Sequence, residues 1–127
     1  MILAGMDVAG CLGCDLLAGR RDLPGGIVYE TAWWVVNHAV GPLNLGTLIV
    51  GPREHVTAVA DLDDRAAAEL GPVLRDTARV VEAICRPEQT YTCLWSHGPA
   101  PVEPDVIAER RSRAPCPALA TSARVPG

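Results

Sequence analysis

Residues 46–55 read Gly46-Thr47-Leu48-Ile49-Val50-Gly51-Pro52-Arg53-Glu54-His55, and the rest of the chain organises around them. Leu48, Ile49 and Val50 are consecutive and wholly apolar, the pattern of a strand buried on both faces. Pro52 ends the run, because a proline nitrogen has no hydrogen to give to a ladder. A strand is therefore expected over 46–51, with a crossing at 53–60. A helix then follows over 63–85. Its start is marked by acidic residues, Asp61 or Asp63 serving as cap and suiting the positive end of the helix dipole. Ala66, Leu70, Val73, Leu74, Thr77, Val80, Val81 and Ile84 recur at three- and four-residue spacing and form one apolar stripe. Leu70, Val73, Leu74, Val81 and Ile84 are expected to pack on the sheet around Ile49 and Leu94. Pro72 either kinks this helix or, with Gly71, breaks it, since proline in a helix interior costs about 3 kcal/mol.

Upstream, β-rich runs at 27–30 and 32–36 flank a tight turn at Glu30-Thr31, and 37–45 is a loop carrying Gly41-Pro42. Residues 19–26 form another loop, and 11–18 a short helix or turn. Downstream, 90–95 alternates as a strand, 96–99 is a loop, and 102–107 is a possible short strand. From Glu109 the composition turns to Arg, Pro, Ala and Ser without periodicity, so 109–127 reads as a disordered tail behind a domain at 1–108. The class is α+β, an antiparallel meander with one long helix on it.

The 127 residues suit one domain, and 49% hydrophobic with 20% charged is ordinary globular usage. A net charge of −4, with scattered arginines as its cations, argues against a nucleic-acid binder. No apolar run is long enough to span a membrane. The start has no basic region like that of a signal peptide, so the cytoplasm is the expected compartment. Five cysteines, an odd number, argue against a disulfide framework.

Cys11 and Cys14 form a Cys-x-x-Cys pair. Two intervening residues bring both sulfurs to one side of a turn, which suits two corners of a tetrahedral zinc. The spacing alone leaves a pair of buried thiols equally open. Thioredoxin-like exchange is disfavoured, since no strand precedes Cys11. His38, His55 and His97 share no joint-ligand spacing, and each reads by itself as an ordinary loop or helix-entry residue. There is no phosphate-binding glycine loop of the Gly-x-x-x-x-Gly-Lys or Gly-x-Gly-x-x-Gly type.

Cys-x-x-Cys, a glycine-rich loop, Val28-Tyr29-Glu30, the 46–55 stretch, Asp61-Leu62 and then Leu94-Trp95-Ser96-His97 stand in an order that resembles the histidine triad (HIT) family. The resemblance covers roughly 11–102. It implies a five-stranded antiparallel sheet with a long helix, a homodimer, and binding of a purine nucleotide or nucleoside phosphate. Hydrolysis or transfer at the α-phosphorus through a histidine nucleophile is the implied chemistry. It further implies a structural zinc held by Cys11, Cys14 and His55, the fourth corner falling to His97, Glu103 or water.

The chain departs from the family where the His-x-His-x-His strand should stand. Glu103-Pro104-Asp105-Val106-Ile107-Ala108 occupies that place, and no histidine follows His97. Glu103 and Asp105 keep the period-two spacing but would repel a phosphate. No catalytic residue is assigned, and the chain is expected to be weak or inactive as an enzyme. Divergence into a zinc-stabilised, non-catalytic binding domain and a frameshift near residue 103 that leaves a gene remnant are the two explanations.

Overall fold

The computed structural model describes residues 8–41, 43–95, 116 and 118–124. In chain order these form α1 (Leu12–Ala18), β1 (Ile27–Glu30), β2 (Trp34–His38), β3 (Leu48–Pro52), a single 3₁₀ turn (Val59–Asp61), α2 (Asp64–Cys85), β4 (Gln89–Trp95) and β5 (Ala118–Arg124). The five strands make one antiparallel sheet in the order β1-β2-β3-β5-β4.

The first three strands meander as expected. Thr31 shapes the β1–β2 turn, its hydroxyl accepting from the N–H groups of Trp33 (3.2 Å) and Trp34 (3.0 Å). After β3, α2 carries the chain across one strand position to β4, and β5 returns to fill the gap. Seven residue pairs join β4 to β5, from Gln89 opposite Arg124 to Trp95 opposite Ala118. Leu48, Ile49 and Val50 of β3 face Thr121, Ala120 and Leu119.

The tail expected over 109–127 is corrected here: Ala118–Arg124 is an interior strand, so the domain does not end at 108. Ala120 and Thr121 are both buried, although adjacent residues of a strand point to opposite faces. Alanine and serine are weak strand formers. Pairing on both sides, and not local propensity, places this segment in the sheet. Such pairing also counts against a tail joined on by a shifted reading frame. The expected loop at 96–99 and strand at 102–107 lie outside the described residues.

The core lies between α2 and one face of the sheet. Trp34, Val36, Leu48, Val50, Ala66, Val73 and Val81 are its buried members, with Leu70, Leu74, Leu119 and Ala123 packed around them. The indole N–H of Trp34 donates to the Ala66 carbonyl at 2.8 Å and locks β2 to the first turn of α2. Asp63 caps that turn by accepting from the Arg65 N–H at 2.8 Å.

The helix continues through Pro72 without a break. Its expected stripe is right at Val73, Thr77 and Val81 and wrong at Val80 and Ile84, which are 42% and 77% exposed. The seat of the helix is also corrected. Leu48 and Val50 face it, whereas Ile49, one residue out of phase, belongs to the opposite face, and Leu94 is half exposed. No helix among the described residues is long and apolar enough to cross a membrane.

Candidate metal centre

Cys11 is the N-cap of α1 and Cys14 lies in its first turn. One helical turn therefore holds both sulfurs on the same side. The turn is fastened at both ends. The Asp15 carboxylate accepts from the Gly10 N–H at 3.2 Å, and Gly19 closes the helix in the left-handed conformation. Both cysteines are buried. His55 follows the end of β3, where the Arg53 N–H donates to the Trp33 carbonyl at 2.9 Å and directs the exit of the chain.

These three residues converge as expected, and a fourth joins them. Cys116 stands just before β5. Its sulfur is 3.4 Å from Cys11 Sγ, 4.0 Å from Cys14 Sγ and 3.4 Å from His55 Nδ1. Cys14 Sγ is likewise 3.4 Å from His55 Nδ1. One ligand atom from each of the four residues lies within 4.8 Å of all the others. A tetrahedral zinc with bonds of 2.3 Å to sulfur and 2.0–2.1 Å to nitrogen separates its ligand atoms by about 3.8 Å (S···S) and about 3.6 Å (S···N). The four separations given above lie within a few tenths of an ångström of those values, and Cys₃His is a zinc donor set.

The surroundings prepare one thiolate. The Cys116 side chain beside Cys11 lowers the Cys11 thiol to about 4 against the opposing effect of burial, and the backbone N–H of Cys116 adds a hydrogen bond to that sulfur at 3.2 Å. Burial pushes the Cys14 thiol up. The Cys116 thiol is pushed up too, first by its contact with Cys11 and then by burial. A divalent cation would relieve this crowding by taking all three sulfurs as thiolates.

The rival fourth ligands, His97 and Glu103, lie outside the described residues. The sequence reading missed Cys116 because it assigned that residue to a tail. The available signal was an unassigned thiol, flanked by Pro115 and Pro117, in a chain whose Cys-x-x-Cys still needed a second half. His38 has another role. Its Nε2 accepts from the Gly46 N–H at 3.0 Å and its Nδ1 contacts the Ala39 carbonyl at 2.9 Å, so it staples the β2–β3 loop. Of the other thiols, Cys93 is exposed on β4 and Cys85 ends α2. No histidine lies on β5.

No family profile matches the chain, and no curated protein matches it. Solved structures do. A member of the HIT family from Bacillus subtilis is 17% identical with a TM-score of 0.68, over 90% of this chain and 72% of that one. A zinc-bound histidine triad family protein from Mycobacterium smegmatis is 15% identical with a TM-score of 0.66, over 92% and 76%. A hypothetical histidine triad nucleotide-binding protein from Sulfolobus tokodaii is 15% identical with a TM-score of 0.67, over 92% and 70%.

Proposed function

Starting from a chain that has the fold of the histidine triad proteins, we propose a zinc-stabilised nucleotide-binding domain with weak or no hydrolase or transferase activity. The observation that carries this reading is the four-ligand cluster, which joins α1, the exit of β3 and the lead-in to β5. Cys11, Cys14, His55 and Cys116 would hold the ion. When bound it supplies structural cross-linking, and with all four positions filled by protein it leaves none open for substrate.

The bound molecule in this proposal is a purine nucleotide or nucleoside phosphate, and nucleotide binding is supported by the likeness in fold to the hypothetical histidine triad nucleotide-binding protein from Sulfolobus tokodaii. Turnover of the histidine triad kind needs an imidazole free to attack phosphorus. Among the described residues, His55 belongs to the cluster and His38 to a loop staple. That allocation supports binding without efficient chemistry. The two-sided pairing of β5 favours a folded binding domain over a gene remnant.

A homodimer formed along β4 completes the proposal, in a thiol-reducing compartment such as the cytoplasm. β4 is an edge strand of seven residues, with Tyr91, Thr92, Cys93 and Leu94 exposed. Such an edge is a template for pairing with a second chain.

Calorimetric titration of the zinc-loaded protein with adenosine monophosphate, beside a hydrolysis assay with an adenosine phosphoramidate, tests the reading. Saturable binding without turnover is expected. Turnover on the order of 1 s⁻¹ or faster, within the usual enzyme range, would overturn the inactive assignment. Absence of binding at millimolar nucleotide would overturn the nucleotide assignment.

A further inference from the structure

The cluster holds three sulfurs where a structural ion needs only that they stay reduced, and two of them, those of Cys11 and Cys116, are in direct contact. Cys11 Sγ and Cys116 Sγ lie 3.4 Å apart, against 4.0 Å for Cys14 and Cys116. The backbone N–H of Cys116 also donates to Cys11 Sγ at 3.2 Å, which holds the two residues against each other. Cys11 is fully buried, whereas Cys116 is partly exposed. An oxidant from solvent therefore meets Cys116 first, with Cys11 waiting behind it.

We propose that the Cys11–Cys116 pair is a peroxide-responsive modification site whose oxidation to a disulfide expels the zinc, a proposal that rests on the zinc reading above. Zinc keeps its cysteine ligands as thiolates, the nucleophilic form. The Cys116 thiolate attacks one peroxide oxygen. The O–O bond breaks, a sulfenic acid forms, and the departing hydroxide takes a proton from solvent to become water. The Cys11 thiolate then attacks the Cys116 sulfur. The S–S bond forms, the S–O bond breaks, and a second hydroxide leaves and is protonated. Two thiolates lose two electrons in all, and the peroxide gains them to give two waters.

The sulfurs must close from 3.4 Å to about 2.05 Å, a small movement for two side chains already in contact. Cys14 and His55 are then the remaining ligands of the four, too few to retain the ion. Zinc itself has no redox chemistry, so the response belongs to the sulfurs. The new bond still ties α1 to the lead-in of β5, so expulsion need not unfold the sheet.

The experiment uses the full zinc-loaded chain, one equivalent of hydrogen peroxide, a chromophoric zinc indicator, and peptide mapping by mass spectrometry after alkylation of free thiols. The expected result is release of one zinc per chain, loss of two free thiols, and a linked peptide pair containing Cys11 and Cys116. Cys14→Ser should still give that linked pair, and Cys116→Ser should not. Retention of zinc by oxidised protein, a bond mapped between Cys11 and Cys14, or oxidation confined to Cys93 would each overturn the proposal. A chain that takes up no zinc fails the metal reading before peroxide is added. A chain that binds zinc and ignores peroxide fails the redox proposal alone.

Discussion

The Nδ1 of His55 lies 3.4 Å from the Sγ of Cys116, although 61 positions separate the two residues in the chain. One belongs to the exit of β3 and the other to the lead-in of β5, the strand that pairs with β3 in the sheet. A metal at this point would therefore fasten the sheet where its longest-range pairing begins. Zinc binding would then be part of folding.

The first expectation is a stoichiometric zinc whose removal destabilises the fold. Chelation should lower the melting temperature, and His55→Ala or Cys116→Ser should each weaken zinc binding by more than about 10-fold, since loss of a group that only hydrogen-bonds to a ligand already costs about 10–100-fold. Elemental analysis and melting in chelator check this. A melting temperature indifferent to chelator would refute it.

Zinc uptake should release protons. At pH 7 Cys11, held down to about 4, is already a thiolate, whereas Cys14 and Cys116 are pushed up and enter as thiols. About two protons should therefore leave per zinc bound, so affinity should fall about 100-fold for each unit of lowered pH. The direction follows from competition, because protons and zinc seek the same sulfurs. Calorimetry in buffers of different ionisation enthalpy counts the protons, and an affinity independent of pH would contradict the assignment.

Gly46→Ala should be costly for two separable reasons. Gly46 has a φ of +86°, and an added Cβ would lie 2.6 Å from Cys85 Sγ. The left-handed backbone costs about 1–2 kcal/mol for alanine. Overpacking adds about 1–3 kcal/mol. Cys85→Ala in the same chain should recover the second part but not the first. Urea unfolding of the two single variants and the double variant measures the coupling. A neutral Gly46→Ala would refute the account.

Truncation after residue 115 should abolish cooperative unfolding. It removes Cys116 from the cluster and β5 from between β3 and β4. Two unpaired edges would then face each other across a missing strand. A disordered tail would be lost without effect, so a retained sharp thermal transition would restore that earlier reading.

The parts legible in the sequence are those that local spacing dictates. Cys11 and Cys14 share a turn because of the interval between them. Val73, Thr77 and Val81 face the core because a helix repeats every 3.6 residues. The proline after Val50 marks the strand end and brings His55 within reach of the cluster. Asp63 caps α2 through a contact two residues long.

Periodicity names the inward face of a helix but not how far the surface beneath it extends, so Ile84 continues the stripe and yet remains exposed. A run as uniform as Leu48-Ile49-Val50 does not say which residues meet the helix. That depends on the register with β2 and β5. The strand at Ala118–Arg124 carries little local preference, and its place is set by hydrogen bonds to residues some 30 and 70 positions earlier. Cys116 becomes a candidate ligand for the same reason, since long-range sheet pairing delivers its sulfur to Cys11, Cys14 and His55. Local spacing in the chain named two corners of the site, the resemblance to a family named the third, and closure of the sheet supplied the fourth.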